Sequence, residues 1–201
     1  MTPDELVSLD LAADRAAASS PLKSDCLMAY AYTRGPRWQR LLSCARTPGL
    51  HAMVVHRFGQ WIPAQPFWVR LLLEPVYLLL FHRIRTKWGI GIGRLAQIGP
   101  GCYIGHFGGI IVSGGARIGS NCNLSHGVTI GWSDSGEKYG APIIGHDVSI
   151  APGAKLFGRI RVGHNVKIGA NAVICEDIPD HAVVALTPGY TILSYKGNRV
   201  L

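Results

Sequence analysis

Charge is scarce in this chain of 201 residues: Asp, Glu, Lys and Arg make up 16% of it, and the acids are the smaller share, 12 against 20. That is too little for a solvent-laced helical bundle, and 48% hydrophobic residues are too many for a disordered chain. Cysteine is limited to Cys26, Cys44, Cys102, Cys122 and Cys175. None forms a Cys-x-x-Cys pair and an odd number cannot close into a disulfide framework, so a reducing, cytoplasmic setting is expected. The start of the chain lacks the basic residues and unbroken apolar run of a secretory signal, carrying Asp4, Glu5, Asp10 and Asp14 instead.

A membrane-spanning run is missing as well. The one candidate, Phe67 to Arg85, is broken by Arg70, Glu74 and Pro75, well short of the roughly 20 apolar residues a bilayer requires. It reads first as a helix packed in the N-terminal core or against a neighbouring subunit. The second reading is peripheral contact of residues 67–87 with an anionic membrane, through His82, Arg83, Arg85 and Lys87. Recognition helices, RNP-like strands and basic faces interleaved with aromatics are absent too, so no nucleic-acid partner is expected despite the net charge of +8. An anionic small molecule carrying phosphates accounts for that charge.

What the chain does have is glycine, 25 residues, and two different periodicities. Through residue 88 apolar residues recur at helical spacing between prolines 36, 48, 63, 66 and 75, which predicts a helical N-terminal region over 1–88. Beyond it an aliphatic residue returns every six positions: Ile98, Ile104, Ile110, then Ile118, Leu124, Ile130, then Ile144, Ile150, Leu156, Val162, Ile168 and Ile174. Six residues suit one short strand and a turn, so three hexads make one coil of a triangular parallel β-solenoid. A mainly β domain over 89–190 with about four coils follows, with a tail over 191–201. Ile110 to Ile118 spans eight residues, which predicts a bulge near Ser113–Gly115. Ile130 to Ile144 spans fourteen, which predicts an extruded loop, "WSDSGEKYGAP", beside which function is sought.

His106, His126, His146 and His164 each stand two residues after a repeat aliphatic, at outward corners. Counting places His106 over His126 on one corner and His146 over His164 on another. No carboxylate or cysteine holds an equally defined place to complete a coordination shell, so no metal is expected. His146 and His164 read as solvated corner residues.

The stretches "IGHFGGIIVSGGARIGSNCNLSHGVTIG" and "GAKLFGRIRVGHNVKIGANAVICEDIPDHAVVALTPG" resemble the hexapeptide-repeat acyltransferases, and within them the serine acetyltransferase-like branch. The resemblance covers roughly residues 90–190. It implies a left-handed parallel β-helix, acetyl-CoA as donor, a homotrimer or dimer of trimers with sites between solenoids, and one histidine as general base. His106 matches that histidine, and imidazole as a side-chain type titrates near neutrality. His126 is expected to hold or tune it.

The departures from that branch fall at the acceptor. Gly91 and Gly105 stand where serine acetyltransferases place aspartates, and Gly140 and Ala141 where they place an adjacent arginine and histidine. A zwitterion needs charged partners in a buried site, so the expected function is an O-acetyltransferase of polysaccharide biosynthesis acting on a sugar or glycan-precursor hydroxyl. Asp134, Glu137 and Tyr139 are the candidate acceptor contacts. Serine O-acetyltransferase and a non-catalytic solenoid scaffold are the alternatives. The positions matching the family's donor contacts are Trp132, Pro152, Gly169, Ala170 and Pro188, with Lys196 and Arg199 candidates for the donor's phosphates.

Overall fold

A computed structural model describes residues 20–134 and 136–186. Among the described residues four helices come first: α1 (Pro21–Tyr32), α2 (Arg37–Arg46), α3 (Pro48–Trp61) and α4 (Phe67–Trp88), with a 3-10 turn at Ile62–Ala64 between the last two. Prolines open α1 and α3, where a missing N–H leaves no helical bond unmade. Ser20 caps α1 by accepting from the Lys23 amide. α4 stops at Gly89, whose φ of +62° is the left-handed cap that favours glycine.

Strands β1 (Ile90–Ile92), β3 (Ile110–Val112), β6 (Thr129–Gly131), β9 (Lys155–Phe157) and β12 (Val173–Ile174) stack as one parallel sheet. A second sheet holds β2 (Gln97–Ile98), β4 (Arg117–Ile118), β7 (Ile143–Ile144) and β10 (Arg161–Val162). A third holds β5 (Asn123–Leu124), β8 (Ser149–Ile150), β11 (Lys167–Ile168) and β13 (Val183–Val184). The chain visits the three sheets in rotation, so they form the walls of a prism. Ile90, Ile98, Ile110, Ile118, Leu124, Ile130, Ile144 and Leu156 are fully buried along its axis. Each such side chain contributes about 1.5–3 kcal/mol of burial.

Two expectations are corrected by the register. The prism has five rungs rather than about four, because Ile90–Ile92 and Val183–Val184 pair as further rungs and the bridges Tyr103↔Asn123 and Val162↔Ile178 complete the shorter walls. The bulge is also misplaced. Ile92 pairs with Val112 and Val112 with Ile130, so the repeat passes through Val112 and the two extra residues lie within 105–109, at His106. Ile110 and Val112 both point inward two residues apart, and counting from Ile110 selects the wrong member of the pair.

The first rung has no rung before it, and the helices take its place. Arg57 donates to the carbonyls of Ile98 (2.6 Å) and Gly99 (2.7 Å) and pairs with Asp25 (3.0 Å). Asp25 in turn accepts the Cys102 amide at 3.0 Å, and Gln60 donates to the Ala96 carbonyl at 2.7 Å. Burial pushes the Asp25 carboxyl above its usual range, against the pull of Arg57. Contact is direct at Gly49 of α3, where a Cβ would stand 2.0 Å from the Ile104 carbonyl oxygen. All five cysteines are free thiols.

Candidate active site

The edge where the third sheet turns into the first gathers the candidate base and three of the donor candidates. His106, His126, Pro152 and Ala170 follow Ile104, Leu124, Ile150 and Ile168 by two residues each, so they climb one edge rung by rung, with Gly169 beside Ala170. Backbone bonds hold the rise: Gly127 N–H to the Gly108 carbonyl (2.7 Å), Gly153 N–H to that of His126 (3.0 Å), Asn171 N–H to that of Pro152 (2.9 Å). The two extra residues of the bulge push the His106 corner outward. Its ring is exposed and meets the exposed His126 ring edge-on, centroids 6.1 Å apart at 84°.

Cavities flank this edge on both sides. On the third sheet a trough of about 360 Å³ is lined by Ser125, Ser149, Pro152, Lys167, Gly169 and Ala185. Its floor of small residues admits a thin chain, and Lys167 places a cation along it. On the first sheet a cavity of about 450 Å³ is lined by Phe81, Arg85, Gly91, Gly109, Ile111 and Val112. Gly91, with no side chain, opens that space, and Arg85 of α4 stands at it.

The loop residues lie elsewhere. The loop leaves the wall between the first and second sheets, a different edge from that of His106, and folds as a small hairpin with Ser133 and Gly140 exchanging both backbone bonds (2.8 and 3.0 Å). Trp132 and Tyr139 pack edge-to-face at 5.3 Å, while Asp134 and Glu137 are exposed. The loop is anchored to later rungs by the Arg159 amide on the Lys138 carbonyl (2.8 Å) and by the Lys138–Asp177 ion pair (3.2 Å). Within one chain, then, Trp132, Asp134, Glu137 and Tyr139 do not meet His106. Pro188, Lys196 and Arg199 lie outside the described residues.

Three residues near these features were missed by sequence reasoning. Lys167 in the trough is one. Arg159 is the second: its stem lies 3.2 Å from the Cβ position of Gly140, so an arginine from the next rung covers the position at which the family resemblance implies one. Gly140 has φ +129°, a conformation that opposes a side chain there. Tyr103 is the third, its phenol beside Gly105. All three occupy outward repeat positions, whose neighbours come from a rung away, and only counting by whole coils would have brought them together.

His146 and His164 are not the solvated corners expected of them. Both are half-buried, stacked at 4.8 Å and 9°, and each accepts a backbone N–H of the rung before through Nδ1: Ser120 to His146 (3.0 Å), His146 to His164 (3.1 Å). Asp180 ends the ladder by accepting the His164 amide at 2.7 Å. Their role is structural. Among the described residues no group of three or more His, Cys, Asp or Glu could hold a metal ion.

No family model matches the chain. Its sequence is 35% identical over 147 residues to the serine acetyltransferase of Synechococcus elongatus, covering 72% of this chain and 57% of that protein. Against the serine acetyltransferase of Helicobacter pylori (strain 26695) it is 32% identical over 156 residues, covering 78% and 86%. Among solved structures, the serine acetyltransferase of Neisseria gonorrhoeae superposes with TM-score 0.68 at 28% identity over 90% of this chain and 70% of that one. Isoform 3 from Entamoeba histolytica, in complex with cysteine, gives 0.68 at 27% over 86% and 59%. The chain thus spans a little under three fifths of the Synechococcus protein and most of the Helicobacter one. With a prism of parallel rungs and a helical region before it, the chain belongs to the serine acetyltransferase family of hexapeptide-repeat acyltransferases.

Proposed function

We propose that the chain is an acetyl-CoA-dependent O-acetyltransferase whose acceptor is the hydroxyl of serine or a close analogue. The observation that carries the reaction class is the His106 edge, an exposed imidazole on an outward bulge with a cavity on either side. The third-sheet trough suits a pantetheine arm, with Pro152, Gly169 and Ala170 along it and Lys167 toward the phosphates. His106 accepts the proton of the acceptor hydroxyl as its oxygen bonds to the thioester carbonyl carbon. The C–S bond then breaks, and the proton passes from the imidazole to the departing sulfur. His126, edge-on to His106, limits where that ring can turn.

The acceptor assignment differs from the sugar expected from the sequence. The relatives are serine acetyltransferases, and Arg159 beside Gly140 and Arg85 beside Gly91 return cations to a site from which the loop's own had been lost. Asp134 and Glu137 are the carboxylates offered to an amino group. A sugar acceptor, as in polysaccharide biosynthesis, is the second reading, favoured by Gly91 and Gly105, which leave the His106 corner without the carboxylates of the family.

The reading includes a homotrimer with the left-handed winding the family resemblance implies, working in the cytoplasm. The first sheet lies between the histidine edge and the loop edge, and its outer face exposes Ile111, Phe157 and Val173. Packing that face against a neighbour would bring one subunit's loop to the next subunit's His106. The test is release of free thiol from acetyl-CoA with serine and with a panel of nucleotide sugars, for the parent and His106→Ala. Release with serine that is lost in the variant is expected. Release with a sugar alone selects the second reading, and none with any acceptor, unchanged in the variant, selects a non-catalytic scaffold.

A further inference from the structure

α4 carries an apolar stripe that the fold leaves uncovered. Tyr77 and Ile84 are buried and Leu73 and Phe81 pack on the core, which fixes the inward face. Trp68, Leu72, Val76 and Leu79, spaced by four, four and three, then lie along the opposite side, and they are 73%, 72%, 46% and 67% exposed. Phe67, Leu71 and Leu78 widen the stripe, all more than half exposed. Arg83 continues it one turn beyond Leu79, and Arg85 and Lys87 follow in the last turn. The outer stripe is therefore apolar along the first two thirds of the helix, and the helix is basic at its end. A contiguous apolar surface of this kind marks a docking site.

Charge chooses the occupant. Residues 20–88 contain ten Lys and Arg against two Asp and Glu, so this region's net +8 equals that of the entire chain. Both acids are already committed, Asp25 to Arg57 and Glu74 to Arg94. A second copy packed in register on this helix would set Arg83, Arg85 and Lys87 against their own counterparts, whereas anionic headgroups neutralise them. Tryptophan, phenylalanine and leucine are the types that form the lipid-facing side of an interfacial helix. Among the described residues no helix is long and apolar enough to cross a membrane. We propose that the helical region docks on an anionic lipid bilayer, with α4 lying in the interface and its stripe from Trp68 to Leu79 turned into the lipid.

The experiment is flotation of the full chain, its acidic first nineteen residues included, with vesicles of phosphatidylcholine alone or mixed with phosphatidylglycerol. Binding to the mixed vesicles that weakens with added salt is expected. Combining Arg70→Gln, Arg83→Gln and Lys87→Gln should lower the partition constant about a hundredfold, at roughly fivefold per charge. Combining Trp68→Ser, Leu72→Ser and Leu79→Ser should abolish binding while leaving the melting temperature of these exposed positions unchanged. Absence of binding by the parent, equal binding to both vesicle types, or an apolar variant that keeps its vesicle binding overturns the proposal. So does an apolar variant whose only change is a smaller mass by light scattering, because the stripe would then be covered by a second copy.

Discussion

Tyr103 fills the space that a side chain at residue 105 would need: its phenolic oxygen stands 2.8 Å from the Cβ position of Gly105. The ring is held there by Tyr32 at the end of α1, stacked at 4.1 Å and 8°. Burial raises the Tyr103 pKa, so the phenol stays protonated at neutral pH. A neutral hydroxyl thus occupies the ground beside Gly105, where the resemblance to the serine acetyltransferases implies a carboxylate. Gly105→Asp alone is expected to reduce activity and thermal stability, and Tyr103→Ala in the same chain to restore the stability. Tyr103→Phe keeps the stack and should lower kcat/KM about threefold to tenfold with an unchanged melting temperature.

Replacing His106 by Asn preserves size and polarity but removes the proposed base. The expected loss in kcat is about 10²–10⁴ fold with little change in KM for acetyl-CoA, measured by thiol release. His126→Asn should lose far less and leave the reaction class intact.

The helical cap on the first rung is a stability feature. Asp25→Ala leaves the Arg57 guanidinium buried without its carboxylate and the Cys102 amide without its acceptor. A loss of about 3–5 kcal/mol is expected, read as the shift in urea midpoint. Trimming Arg57 instead should cost a similar amount, and the double variant less than the sum.

Along the other corner, His164→Leu removes the acceptor for the His146 amide and the stacking partner of that ring. About 1–3 kcal/mol is expected from the orphaned amide. Amide hydrogen exchange at His146 should accelerate in this variant.

Asp177 links the loop to the last rungs and gives a pH dependence. The Arg161 amide first, and Lys138 second, hold its carboxyl below the usual range. A carboxyl depressed in the fold stabilises it above its ordinary pKa, and the effect is lost as pH falls through the lower folded value. Protease nicking of the loop should therefore rise below about pH 4. Asp177→Asn should remove that acid-dependent increment.

Much of this architecture is legible in the sequence because a coil that stacks on itself must repeat its interior: the aliphatic at every sixth position, from Ile98 to Ile174, names the walls. The extruded loop and the corner histidines follow from the same count. The bulge was misread because Ile110 and Val112 are both apolar and both inward, so spacing alone cannot say which carries the rung. That the loop and His106 leave one chain from different edges shows only when the spacing is carried round the coil. Ile130 and Ile104 belong to different walls, and taking the hexad count modulo three would have put the loop and His106 on separate edges. Tyr103, Arg159 and Lys167 look like ordinary outward residues until the rung above or below is placed against them. His146 and His164 look solvated until the preceding rung supplies the amides they accept.

Sealing of the first rung also bears on self-association. A stack of parallel strands ends in a row of unsatisfied amides and carbonyls, which invites another molecule to add on and so propagate a fibre. Here Arg57, Asp25 and Gln60 occupy those groups at Ala96, Ile98, Gly99 and Cys102. Growth of one prism onto the start of another is blocked there by the chain's own N-terminal half, and a fragment cut free of its helices should polymerise where the intact protein does not.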